Sequence, residues 1–360
     1  MRLLSNPNED IRHLPHISGG YEWWYFDGLS KDEKYSFVII FYEGNPFSTR
    51  YNRAIEEGKE PDPSAHPAIS ISIYENGTPI YYSFTEFEEA ECNFSEDLPY
   101  LKLGSHQMKL VEHESTLVYE LRLAEILACG DQLNATIHFE SPSLKSQLFQ
   151  NTSNTGKGHL WNLVQPRAHI KANMQITPSG EELRPISFEG RGYHDHNIGH
   201  EPMRNEFVDW YWGRIHFDYA TLVYYVMNRQ EEEQHRAWLI SRDNGMVLET
   251  FDEVLLTDKG WTLFGLKPAR KIGLRSDQGE IHIQHSRLLD NGPFYQRYQS
   301  DAFLRFKDEI VEKKQGICEY IHPDRIFNRF FWPFVDMRIR YKAEKPHWVQ
   351  QSKRLYQWTW

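Results

Sequence analysis

The segment Gly190-Arg-Gly-Tyr-His-Asp-His-Asn-Ile-Gly199 brings a carboxylic acid, a phenol and two imidazoles together between glycines, residues that tolerate unusual backbone. On extended backbone, side chains alternate with period two, so Tyr193, Asp195 and Asn197 share one face while His194 and His196 share the other. The two faces imply different chemistry. An acid flanked by aromatics suits proton transfer. His194-x-His196 has metal-ligand spacing on a strand, and His159, His169, His200 or a nearby Glu could complete a shell. His-x-His alone is a weak signal, and histidines bonded to backbone or carboxylates account for the pair more simply. The expectation is supporting histidines and no metal.

Two further segments are unusually aromatic. Gly20-Tyr-Glu-Trp-Trp-Tyr-Phe-Asp27 places Tyr21, Trp23, Tyr25 and Asp27 on one face and Glu22, Trp24 and Phe26 on the other. Asp209-Trp-Tyr-Trp-Gly-Arg-Ile-His-Phe217 places Trp210, Trp212, Arg214 and His216 together. Core packing explains any one of these rings. Their clustering around an acid motif makes Trp23, Trp24, Tyr25, Trp210 and Trp212, with Asn197, candidates for substrate contact, and Arg214 a candidate support.

Most periodic segments alternate at two. Ile69–Tyr74 and Pro79–Phe84 flank Asn76-Gly77, and Trp238–Arg242 and Met246–Thr250 flank Asp243-Asn-Gly245, both hairpin patterns. Further strands are expected at Tyr35–Tyr42, Thr116–Leu123, Asn134–Glu140, Ala168–Ile176, Asp209–Phe217, Thr221–Met227, Glu280–His285 and Val335–Tyr341. Many short strands joined by turns imply all-β sandwich or barrel domains. Glu43 to Pro67 reads as a long aperiodic loop, a lid or a solvated insertion. The polar loop Asn151–Gly158 ends in Gly-Lys-Gly, which lacks the rest of a P-loop.

The chain's 360 residues are more than one core usually serves, so two domains are expected, at 1–200 and 201–360. Aromatics make up 14% of it, enough to build faces or cavities of flat rings. A net charge of −11 without a basic cluster argues against a nucleic-acid partner. Cys92, Cys129 and Cys318 signal neither a disulfide framework nor a zinc site. No signal-like segment or span of ~20 apolar residues occurs, so a cytoplasmic location is expected. Neither a Gly-x-Ser-x-Gly elbow, nor a His-Glu-x-x-His pair, nor a Walker sequence is present.

Taken in order, Tyr21–Asp27, Trp161 with Pro166-Arg-Ala168, Gly190–Asn197 and Trp210–Arg214 resemble the carotenoid 1,2-hydratase (hydroxyneurosporene synthase) family, which extends to kievitone hydratase-like enzymes and lipocalin-like pericyclases. Gly316–Tyr320 and Trp332–Val335 are similar to its closing strands, so the resemblance spans roughly residues 18–345. It implies two lipocalin-like antiparallel β-domains side by side with a ligand cavity in or between them. It also implies catalytic positions at Trp161, Tyr193 and Asp195 and no cofactor or metal. Ile198 departs from the family, which commonly carries Trp there, and this bears on the rim of the pocket.

Hydrating an isolated alkene requires a proton delivered to carbon, a brief tertiary cation and a placed water. Burial among aromatics can keep an aspartic acid protonated, with shifts of up to ~3–5 units, making Asp195 the expected acid. Trp161 and Tyr193 can stabilise a cation by roughly 0.5–2 kcal/mol per ring. Tyr193 can instead orient water or hydrogen-bond Asp195. The expected activity is cofactor-independent hydration of a C=C bond in a hydrophobic terpenoid or carotenoid-like substrate. The alternatives are a pericyclase or terpenoid cyclase using the same cavity, and a non-catalytic carrier of an apolar ligand. Transient contact with a membrane surface stays open, although no basic amphipathic anchor is evident.

Overall fold

Period-two alternation becomes long antiparallel ladders in the structure, a computed structural model that describes residues 2–13, 17–112, 115–143, 158–229, 233–307 and 310–360. The Asn151–Gly158 loop lies outside these, save Gly158. The fold is all-β, with two curled half-barrel sheets of lipocalin-like type. The chain divides into one unit of Met1–Pro202 with Arg329–Trp360 and another of Met203–Asn328.

In the first unit the middle of the sheet runs Ala68–Glu75, Tyr35–Glu43, Tyr21–Ser30, Arg184–Gly199, Leu160–Thr177, Gln132–Pro142 and Thr116–Ile126. Arg184–Gly199 is therefore a central strand, with Tyr21–Ser30 on one side and Leu160–Thr177 on the other. One side of this sheet is an apolar core holding Phe26, Phe37, Phe41, Tyr119, Phe139 and Ile170. Each fully buried Phe contributes about 1.5–3 kcal/mol relative to exposure. In the second unit the sheet order is Val247–Thr250, Glu233–Ser241, Ala220–Asn228, Asp209–His216, Ile310–Ile321, Tyr295–Phe306, Gly279–Asn291, Ala269–Arg275 and Glu253–Lys259. Its core includes Ile215, Leu222, Tyr224, Leu239, Ile283 and Leu304.

Both expected hairpins form. Asn76 and Gly77 have φ of 49° and 69°, and Gly245 has φ of 68°, the left-handed region that these turns require. Three expectations change. Glu43–Pro67 is not structureless, since it contains a helix at Thr49–Glu56 whose N-cap is the Ser48 side chain, and a 3-10 turn at Pro63–Ala65. Tyr51 pins that helix: its hydroxyl accepts from Gly19 N–H and donates to the Gly20 carbonyl, at 2.9 and 2.8 Å. Val335–Tyr341 is not one strand. Trp332–Asp336 is a short helix with Pro333 in its first turn, where a missing N–H costs nothing, and only Arg340–Tyr341 is extended.

The third change concerns the domain boundary expected at 201–360. The first division falls at Pro202, but residues 329–360 pack with the first unit. Arg340–Tyr341 adds a parallel strand to Thr78–Glu86, and the Tyr341 hydroxyl accepts from the Thr49 N–H at 3.3 Å.

Candidate active site

Strand register decides which side chains meet. Across the ladder to Tyr21–Ser30, Tyr193 faces Asp27, Asp195 faces Tyr25, Asn197 faces Trp23 and Gly199 faces Tyr21. On the other side Trp161 pairs with Asn197 and Leu163 with Asp195. Opposed residues share a face, so Trp23, Tyr25, Asp27, Trp161, Tyr193, Asp195 and Asn197 lie on one side of the sheet.

Asp195 is 3% exposed and is the focus of this face. Its Oδ2 accepts from the Tyr193 hydroxyl at 2.6 Å and from the Trp161 indole N–H at 2.7 Å. Its Oδ1 accepts from Asn197 Nδ2 at 2.8 Å. Asn197 Oδ1 in turn accepts from His159 Nε2 at 3.0 Å, which leaves His159 Nδ1 to accept from the Tyr21 hydroxyl at 3.1 Å. The line Tyr21–His159–Asn197–Asp195 is buried throughout. Three donors converge on one carboxylate, so its surroundings are not purely apolar. They stabilise the charge that Asp195 carries after losing its proton.

Trp161, Tyr193 and Asp195, three of the residues singled out by sequence, are thus in direct contact. The Trp161 contact is an N–H donation, a role that sequence reasoning did not assign to it. Tyr25 meets Tyr193 edge-on at 6.1 Å between ring centres, and half-buried Trp23 stacks on Tyr21 at 5.1 Å. Trp24 lies on the opposite face, stacked on His196 at 4.3 Å, so it does not accompany Asp195 as expected. Trp210, Trp212 and Arg214 are buried on one face of Asp209–His216 in the second unit. Ile198 also points away from the Asp195 face and packs with Leu4 and Leu160. Its departure from the family pattern therefore affects a small apolar cluster, not the surroundings of the acid.

His194 and His196 occupy the apolar side with their own carboxylates. His194 Nε2 donates to Asp10 Oδ2 at 2.9 Å and Nδ1 to the Tyr25 carbonyl at 3.0 Å, while the ring stacks on Phe26 at 3.8 Å. His196 Nε2 donates to Glu22 Oε1 at 2.6 Å, and its Nδ1 is 3.3 Å from Asp10 Oδ1. Burial disfavours a charge on His196, but the hydrogen bonds and charges of Asp10 and Glu22 outweigh it and push its pKa up to about 9. Burial likewise acts to raise the pKa of Asp10, and His194 and His196 overcome it, holding the carboxyl well below the usual range.

The motif glycines serve space, not unusual φ, because Gly190, Gly192 and Gly199 are all in extended strand. A Cβ at Gly199 would lie 2.1 Å from Cζ of Tyr21, so the glycine makes room for the ring that reaches His159. His159, considered from sequence only as a possible metal ligand, instead bonds Asn197 and Tyr21, and Asp10 is a support residue that sequence reasoning did not place. His159 was legible as His159-x-Trp161, two residues apart on one face, whereas nothing local marks Asp10 as a partner of the motif.

The model of the family described as carotenoid hydratase CrtC matches residues 38–348. A "hydroxyneurosporene dehydrogenase" of Chlorobaculum tepidum is 28% identical over 94% of this chain and 92% of its own length. An "acyclic carotenoid 1,2-hydratase" of Thiocapsa roseopersicina is 27% identical over 61% of this chain and 49% of its own. Among solved structures, CghA with Sch210972 has the same fold, with a TM-score of 0.60 at 10% identity over 89% of this chain and 98% of that one. The family match extends over most of the chain, residues 38–348: the protein belongs to the carotenoid hydratase CrtC family.

Proposed function

We propose that the protein is a hydratase that adds water to a C=C bond of an apolar, acyclic terpenoid or carotenoid-like substrate, with Asp195 as the proton donor. The observation that carries this reading is the convergence of Tyr193, Trp161 and Asn197 on the Asp195 carboxyl group. A protonated Asp195 transfers its proton to the alkene carbon that leaves the more substituted cation. The three donors then stabilise the carboxylate, lowering the barrier in the manner of an oxyanion site. Water adds to the cation and gives up a proton, which returns to Asp195, so the net change is addition of one water and the enzyme is restored. Tyr25 and half-buried Trp23, on the same face, offer π-surface to the cation. His159 and Tyr21 act as positioning residues, because they fix which end of the Asn197 amide faces the acid.

The names of the relatives from Chlorobaculum tepidum and Thiocapsa roseopersicina support an acyclic carotenoid as the first substrate to try. Asp195→Asn keeps the shape and removes the transferable proton. Turnover is expected to fall about 10²–10⁴-fold, the usual contribution of a positioned general acid. Incubation in oxygen-18 water should place label in the product of the wild-type enzyme. Retained turnover in Asp195→Asn would remove the acid, and an unlabelled, rearranged product would replace hydration by cyclisation.

A further inference from the structure

Strands Glu253–Lys259 and Ala269–Arg275 form an antiparallel hairpin in the second unit, closed by the loop Gly260-Trp-Thr-Leu-Phe-Gly-Leu-Lys-Pro268. The loop backbone is held in place. Thr262 N–H donates to the Leu266 carbonyl at 2.8 Å and Gly265 N–H to the Thr262 carbonyl at 3.0 Å. From beneath, the Arg325 guanidinium donates to the carbonyls of Phe264 and Gly265, each at 2.7 Å. Leu266 is buried in the core of the unit.

From this fixed turn two large apolar side chains project outward: Trp261 is 69% and Leu263 83% exposed. A single exposed apolar residue needs no explanation, but two at the tip of a braced loop hold apolar surface in water at no entropic gain. Their surroundings are cationic. From Lys259 to Arg275 the sequence carries Lys259, Lys267, Arg270, Lys271 and Arg275 and no acid, within a chain of net charge −11. The Lys267 ammonium lies 5.3 Å from the Trp261 ring centre. Asp258, just outside the stretch, pairs with Lys271 at 3.7 Å.

Indole rings settle at the headgroup level of bilayers, and flanking Lys and Arg are drawn to anionic lipid. We infer that Gly260–Pro268 is a membrane-docking tip that seats Trp261 and Leu263 in the headgroup boundary of an anionic bilayer. Preformed geometry favours this, since no ordering cost is incurred on contact. The inference does not rest on the chemistry of Asp195, although an apolar substrate held in lipid would give the tip a purpose.

Flotation of the full protein with vesicles tests it, using phosphatidylcholine alone and phosphatidylcholine mixed with phosphatidylglycerol. Wild type should partition to the mixed vesicles at least about tenfold more than to the neutral ones, and added salt should weaken binding. Trp261→Ser with Leu263→Ser should lose about tenfold or more of that partition while keeping the wild-type melting temperature, because both side chains are exposed. Lys259→Glu with Lys267→Glu should lose the preference for anionic lipid. Equal partition to both vesicle types, or undiminished binding of the Trp261/Leu263 variant, would overturn the inference. Activity on detergent-solubilised substrate should stay unchanged in these variants, which separates failure of docking from failure of the proposed reaction.

Discussion

Trp161 shows how a residue can have two physical roles that one substitution separates. Its ring could face a cation, but its N–H donates to Asp195 at 2.7 Å. Trp161→Phe keeps an aromatic face and deletes the donor. A hydrogen bond to a charged group contributes about 1.5–3 kcal/mol, so turnover should fall roughly tenfold to a hundredfold if the donor is what matters. Tyr193→Phe should behave alike, and steady-state kinetics on the same substrate checks both. Wild-type turnover in Trp161→Phe would assign the residue's role to its ring. At this scale much was legible, because period-two alternation on a strand requires no tertiary information: it separated Tyr193, Asp195 and Asn197 from His194 and His196. What alternation could not supply was the identity of partners on other strands. Asp10 lies 184 residues from His194, and only the closed fold brings them to 2.9 Å.

The strand Arg184–Gly199 has an acid site on one side and a buried ion-paired cluster on the other, so the backbone that carries Asp195 is held from behind by Asp10, Glu22, His194 and His196. The pH dependence of stability follows from the two shifts. His196 has its pKa raised from 6.5 to about 9 on folding, so its stabilising contribution is complete below about 6.5 and is lost as pH rises through about 9. Asp10 is shifted the other way, from 3.8 downward, so its contribution is present above about 3.8 and fades as acid protonates it. Melting temperature should therefore hold a plateau at moderately acidic to neutral pH and decline through pH 7 to 9. In His196→Gln the alkaline part of that decline should flatten. Asp10→Ala should cost about 3–5 kcal/mol, as expected when one member of a buried ionic cluster is removed. Thermal melts across pH with both variants decide the point.

Element legibility was uneven for identifiable reasons. Tyr35–Tyr42 and Thr221–Met227 were read to within one residue of their ends, whereas Ala168–Ile176 covers only half of Leu160–Thr177 and Glu280–His285 stops six residues short of Asn291. Thr49–Glu56, Thr-Arg-Tyr-Asn-Arg-Ala-Ile-Glu, escaped because its apolar stripe is only Tyr51, Ala54 and Ile55 within a short, largely polar segment; the Ser48 cap and the buried Tyr51 hold it. Val335-Asp-Met-Arg-Ile-Arg-Tyr341 alternates well enough to pass for a strand. The helix-starting proline two residues earlier was the contrary signal.

For the whole molecule, an all-β architecture of two units was legible from strand count and length. The return of residues 329–360 to the first unit was not, since no local pattern records which sheet a late segment joins. Their contribution can be measured. Deleting 329–360 removes the strand beside Thr78–Glu86, the Tyr341 hydroxyl bonded to Thr49, and Tyr356, whose ring lies 6.2 Å from that of Tyr82. Hydrogen exchange should accelerate in Thr49–Glu56 and Thr78–Glu86, with a lowered melting temperature. Unchanged protection there would mean that the segment is an accessory. Across the described residues no helix is long and apolar enough to cross a membrane.

The same discontinuity sets a schedule during synthesis. The ribosome makes residues 203–328 after nearly all of the first unit and before the segment that completes it. Until residues 340–341 emerge, the end of Thr78–Glu86 at Thr85 and Glu86 lacks its parallel partner, and the outer side of that strand is a longer template for pairing with other chains. A nascent chain stalled within the second unit would carry the acid motif already translated but the sheet edge still open. Nascent-chain quality control would thus meet incomplete copies as aggregation-prone chains with an open β-edge.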